Sequence, residues 1–136
     1  MIRPIVTSPL MLRMPSVDAT PEDAQIGQDL LDTLAAHTDE CVGMAANMIG
    51  VHKRIIVVQD GPQVRLMYNP NIVETTGPYE TEESCLSLEG SRHSTRYRRI
   101  KVEYLDQEFH TRRDSFSGFV AQIIQHEIDH CNGTVI

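Results

Sequence analysis

Apolar positions near the end of the chain recur at helical spacing: Phe116, Val120, Ile123 and Ile124 fall on or near one stripe, with Ser115 or Ser117 placed to cap the helix. An earlier stripe, Ile26, Leu30 and Leu34, repeats every four residues behind Thr20-Pro21-Glu22-Asp23. There a capping threonine, a proline at the first helical position and two acids in the first turn open a helix, and Thr38-Asp39-Glu40 ends it. Between these helices the period shortens to two. Ile55-Ile56-Val57-Val58 reads as a buried strand, Asp60-Gly61-Pro62 turns the chain, and residues 64–68 pair back as a hairpin. Asn69-Pro70 predicts a break, Ile72-Val73 a new strand, and Thr76-Gly77-Pro78 a further turn. Ile100, Val102 and Tyr104 alternate with Lys101 and Glu103, as in a half-buried strand, and residues 105–115 are polar and turn-like. Residues 1–19, interrupted by Pro4, Pro9 and Pro15, read as an extended arm wrapping the domain. Asn132-Gly133 marks the end of the last helix.

This order predicts an α+β fold with one N-terminal helix and mostly antiparallel short strands packed around the C-terminal helix, because the connections between strands are too short for parallel crossovers. At 136 residues and 40% apolar content, residues 1–136 form one expected domain with a real core. Twelve basic against 19 acidic residues give a net charge of -7, which argues against a nucleic-acid or anionic-membrane surface. Nothing near Met1 resembles a signal peptide and no window approaches a membrane span, so the expected location is the cytoplasm. There Cys41, Cys85 and Cys131, odd in number and widely spaced, are expected as ligands or buried residues rather than disulfides.

The chemistry gathers in Gln125-His126-Glu127-Ile128-Asp129-His130. On a helix, His126 and His130 sit one turn apart and can share a metal, while Glu127 is placed to take a proton from water, the physical content of H-E-x-x-H. The alternative is two histidines on the wet side of an amphipathic helix. Two imidazoles leave a divalent ion short of ligands, and Cys85 is the best candidate for the third. A thiolate with two imidazoles would leave one position open, the arrangement of a catalytic site, whereas an unligated Cys85 would be a small buried hydrophobe. Gly43, Ala45 and Ala46 permit close backbone approach, in core packing or in a substrate wall. Arg92, Arg96, Arg98, Arg99 and Lys101 make a local basic run, by default a solvated strand face and otherwise a grip for peptide carboxylates.

Taken together, three stretches resemble the peptide deformylases, whose motifs read G-x-G-x-A-A-x-Q, E-G-C-L-S and Q-H-E-x-D-H in this order. Here they stand at residues 41–48, at Glu83-Ser84-Cys85-Leu86-Ser87 and at residues 125–130, and the likeness runs over nearly the whole chain. The resemblance implies that Cys85, His126 and His130 bind the metal and that Glu127 is the general acid/base. It implies ferrous iron in the cell, with zinc, nickel or cobalt possible in purified protein. The implied reaction removes the formyl group from the N-terminal formyl-methionine of nascent polypeptides, with the ribosome as the expected setting. Glu127 would accept the water proton and pass it to the leaving amine, and the backbone N–H of Leu86 would donate to the developing oxyanion. Val42, Gly43 and Met44 would line one side of an apolar slot, with Phe119, Gln122 and Ile123 opposite and Arg92 near the peptide backbone.

Departures from the family pattern shape the expectation. Met48 stands where the family carries the Gln that donates its amide to the formyl oxygen, and a thioether cannot donate. Losing one such donor typically costs roughly 100- to 1,000-fold in rate, so a slowed enzyme is expected. Asn47, in the place of the family's usual Pro, has an amide of the right chemistry. Neighbouring side chains in an extended segment point to opposite faces, which works against its filling the role. Ser84 replaces a Gly before the ligand, and Cys41 replaces the first Gly of the first motif. The alternatives are an amide hydrolase for a different N-acyl group and a relative that holds metal and peptide without turnover.

Overall fold

The computed structural model describes residues 1–134, so the last two residues of the expected domain lie outside the described residues. The chain runs through α1 (Pro9–Leu12), α2 (Ala24–Ala35), β1 (Gly43–Ala45), β2 (Ile55–Asp60), β3 (Gln63–Cys85), β4 (Leu88–Leu105), β5 (Thr111–Ser117) and α3 (Gly118–Cys131). Short 3-10 turns lie at Pro21–Asp23 and Ala46–Ile49. The five strands form one antiparallel sheet in sequence order, β1-β2-β3-β4-β5, as short connections require.

Strand β2 explains its own composition. Ile56 and Val58 belong to the core under α3, and Ile55 and Val57 to the core under α2, so every residue of the Ile-Ile-Val-Val run is buried. Both faces of this strand are covered, which removes the polar alternation. Leu30 and Leu34 reach the same second core as Met44, Leu66 and Tyr68, in keeping with the four-residue stripe.

Several expectations change. The break at Asn69-Pro70 is a bulge inside one continuous β3: the pairing register slips between Tyr68 and Asn71, and Asn69 adopts a positive φ of 53°. The Asn69 amide satisfies both backbone groups of Ala19, accepting from its N–H at 2.7 Å and donating to its carbonyl at 3.0 Å. Thr76-Gly77-Pro78 is no turn either, because Thr76 and Pro78 pair across to Arg99 and Tyr97. Residues 111–115, part of the stretch 105–115 read as turn-like, belong to the edge strand β5, which also takes in Phe116 and Ser117. Their alternation is hidden because the sheet edge carries charges, with Arg113 paired to Glu103 and Asp114 accepting from Tyr104 at 2.6 Å. The N-terminal arm contains one helical turn, α1, whose first residue Pro9 lacks only an N–H that no helix would use there.

The arm matters for the site because it clamps the end of α3. Ser16 donates to the Cys131 carbonyl at 2.8 Å, and a Cβ on Gly133 would lie 2.4 Å from the Arg13 carbonyl oxygen. Gly133 also has a positive φ of 76°, so it both ends the helix and lets the arm cross it. Among the described residues no helix is long and apolar enough to cross a membrane.

Candidate metal centre

One turn of α3 and the end of β3 build the centre. Ser117 occupies the N-cap position in extended conformation, and His126 and His130 then fall on one face of the helix, buried at 8% and 0% exposure. Cys85 ends β3, where the long hairpin brings it against that face. The Cys85 Sγ lies 3.3 Å from His130 Nε2, and one ligand atom from each of Cys85, His126 and His130 lies within 4.8 Å of the other two. One soft sulfur and two imidazole nitrogens suit a divalent transition metal such as zinc or iron. The protonation states suit it too. Burial holds His130 at about 3, so it is neutral with a lone pair to offer.

His126 is different. Burial opposes its charge, but hydrogen bonding with Cys85 and Glu83 carries it up to about 10 in the metal-free site. Its Nδ1 meets Glu83 Oε1 at 2.8 Å, which directs Nε2 away from Glu83 and leaves it for an ion. Glu83 is buried, and its burial is outweighed by hydrogen bonds from His126, Arg96 and Gln122 that hold it at about 2. Arg96 grips both Glu83 oxygens and reaches Asp129 at 2.6 Å with its other nitrogen.

A pocket of about 620 Å³ opens over this centre. Its walls include Cys85, His126 and Glu127, with Val42, Gly43 and Met48 from one side and Phe119, Gln122 and Ile123 from α3. Glu127 is 4% exposed, and its Oε1 has no hydrogen-bond partner among the described residues. Burial lifts its carboxyl to about 7, against the pull of the His126 charge. Gly43 makes the close approach possible: a Cβ there would lie 2.6 Å from Ile123 Cγ2 and 3.0 Å from Glu127 Oε2.

Most of the residues singled out in the sequence meet here, and Leu86 lines the pocket as well. Two do not. Met44 is fully buried in the core under α2, because the two-residue period of β1 turns Gly43 and Ala45 toward α3 and Met44 away. Arg92 is absent from the pocket wall; its guanidinium donates to the Glu89 carbonyl at 3.1 Å near the hairpin tip.

Other residues were missed. Arg96, assigned by default to a solvated strand face, is 4% exposed and anchors Glu83. Ser94 and Arg96 both face inward, but Arg98 between Arg96 and buried Ile100 is exposed, so the two-residue period gave no unbroken signal for it. Asn47 points the other way from the pocket: its amide donates to the carbonyls of His130 at 3.0 Å and Leu12 at 3.4 Å, tying the arm to the last turn of α3. Asn47→Ala should therefore lower stability by about 0.5–1.5 kcal/mol, read as a shift in urea midpoint, by removing one of the two donors to the buried His130 carbonyl, the other being the Gly133 N–H at 3.0 Å.

Comparison with known proteins agrees with this arrangement. The family model described as Polypeptide deformylase matches residues 2–136. The chain belongs to the polypeptide deformylase family. It is 52% identical over 136 residues to a peptide deformylase of Clostridium beijerinckii, covering all of both chains. It is also 38% identical over 111 residues to peptide deformylase 3 of Shewanella oneidensis, covering 79% of this chain and 68% of that one. Among solved structures, the Met-Ala-Ser-bound class I type b peptide deformylase from Acinetobacter baumannii superposes with a TM-score of 0.88 at 26% identity, over 99% of this chain and 97% of that one. Peptide deformylase from Thermotoga maritima gives 0.87 at 28%, over 99% and 94%. The family consists of metal-dependent hydrolases that act on formylated nascent peptides, and this chain is one of them.

Proposed function

We propose that this deformylase removes the formyl group from the N-terminal formyl-methionine of nascent peptides in the cytoplasm, at the ribosome, as a single metallohydrolase domain spanning residues 1–136. The observation that carries the reading is the meeting of Cys85, His126 and His130 beside a pocket lined by the buried Glu127 carboxylate, whose Oε1 has no hydrogen-bond partner among the described residues. Cys85, His126 and His130 would hold one divalent ion, ferrous iron in the cell. When bound, such an ion supplies Lewis acidity toward water and the formyl oxygen.

The remaining work falls to the chain's own groups. Glu127 takes the proton of the attacking water and delivers it to the departing amine, a role that suits a carboxyl lifted to about 7. The N–H of Leu86 donates to the oxyanion. Val42, Phe119 and Ile123 give the methionine side chain an apolar wall. Met48 lines the same pocket without a hydrogen to donate, which supports a slowed reaction and keeps a non-turning-over, peptide-holding relative as the second reading.

Anaerobic turnover of formyl-Met-Ala-Ser by the ferrous protein, beside acetyl-Met-Ala-Ser, tests this. Formate should appear from the formylated peptide alone and should cease when a chelator strips the ion. Hydrolysis confined to the acetylated peptide, or silence on both with metal bound, would overturn the proposal.

A further inference from the structure

Gln122 stands one turn before His126 on α3, and its amide is committed to a neighbour rather than to the pocket it lines. Its Nε2 donates to Glu83 Oε2 at 2.8 Å, and its Oε1 accepts from the Tyr79 hydroxyl at 3.4 Å. The other Glu83 oxygen meets His126 Nδ1 at 2.8 Å. Of the donors to Oε2 among the described residues, the other is Arg96 Nε at 3.0 Å, and that nitrogen also reaches Oε1 at 3.1 Å. Gln122 therefore supplies the donor that Oε2 does not share with its twin. Phe119 and Ile123 on the same wall are apolar, and a hydrocarbon at position 122 would suit a methionine side chain better than an amide.

We infer that Gln122 is a positioning residue for the metal centre, acting through Glu83 to fix the orientation and tautomer of His126. A carboxylate with a separate donor on each oxygen cannot rotate without losing one of them. Held in place, Glu83 keeps the proton of His126 on Nδ1 and leaves Nε2 free to ligate. Removing Gln122 loosens that carboxylate, and partners of this kind typically change metal affinity or activity by roughly 10- to 100-fold.

The inference rests on the reading of Cys85, His126 and His130 as metal ligands, and its test separates the two. Zinc affinity of metal-stripped protein is measured at neutral pH by competition with a chromophoric chelator, for the native chain and for Gln122→Met, which keeps an unbranched side chain of similar length. Gln122→Ile serves the same purpose if the first variant does not fold. Expected is a zinc affinity weakened about tenfold with no peptide present, and the same substitution having little further effect in a Glu83→Gln background. A side chain that merely lined the pocket would raise KM for formyl-Met-Ala-Ser and leave zinc affinity at the native value, and that result overturns the inference. Native protein that binds zinc but turns over no formylated peptide defeats the proposed function and leaves this measurement standing. Native protein that binds no zinc defeats both.

Discussion

Glu127→Gln should abolish turnover while making the metal-free protein more stable, two effects of opposite sign from one carboxylate. As a positioned general base and acid, Glu127 should contribute roughly 100- to 10,000-fold to the rate, and glutamine cannot accept and return a proton. The fall should appear in kcat, with the metal still bound at native stoichiometry, because Glu127 is not in the ligand cluster. The pH dependence follows from the same group. Burial raises Glu127 from 4.5 to about 7. The reaction requires the ionised form, so native activity should fall as pH drops, along an acid limb at or below about 7. A bound cation, by favouring the carboxylate, moves that limb downward. Stability runs the other way. Because the folded state favours the protonated acid, this contribution to stability is fully present below 4.5 and is lost as pH rises through about 7. The metal-free Glu127→Gln variant should escape that loss and exceed the native protein by ~1–3 kcal/mol above pH 7 in urea unfolding. Equal activity in the variant would remove Glu127 from the chemistry.

That carboxylate was visible in the chain because its chemistry is local. His126, Glu127 and His130 lie within five residues on one helix, and helical periodicity alone puts the imidazoles on a common face. Cys85 is another matter. Its approach to His130 depends on where a long hairpin ends, and spacing in the chain carries no such information; ligand chemistry made it a candidate, and its place in a three-motif pattern strengthened it. The two helices and the doubly covered strand β2 were legible for the same local reason. The continuity of β3 was not, because Asn69-Pro70 and Gly77-Pro78 are turn signals that pairing with β4 overrides.

Polar burial is where local reasoning failed. Arg96 lies in a run of cations that composition assigns to solvent, yet Glu83 and Asp129 together make its burial tolerable. Asn47 and Met48 are adjacent, and only the 3-10 turn Ala46–Ile49 decides which of them faces the pocket. The turn sends Asn47 to the back of α3, where His130 occupies its donor. Among the described residues lining the pocket, the amide side chain is that of Gln122, and Glu83 and Tyr79 engage it.

Met48→Gln should for that reason raise kcat/KM by roughly 100- to 1,000-fold, the usual worth of one oxyanion donor, ~2.7–4 kcal/mol. The local geometry already accommodates the change. Met48 Sδ accepts from the Ala45 N–H at 3.5 Å, at the third position of its 3-10 turn, where a glutamine side chain characteristically reaches back to the capping residue's N–H. The Gln carbonyl oxygen would take over that donor, and its Nε2 would then be left pointing into the pocket. Methionine and glutamine are both unbranched and of similar length, so packing around a residue only 2% exposed should survive. The gain should fall mainly on kcat, because the developing oxyanion attracts the new N–H more strongly than the neutral formyl group does. Met48→Leu, equally apolar and equally without a donor, should stay near the native rate. Should Met48→Gln also stay there, the Leu86 N–H and the ion already meet the oxyanion's needs, and the thioether is a neutral replacement rather than the cause of a slow enzyme.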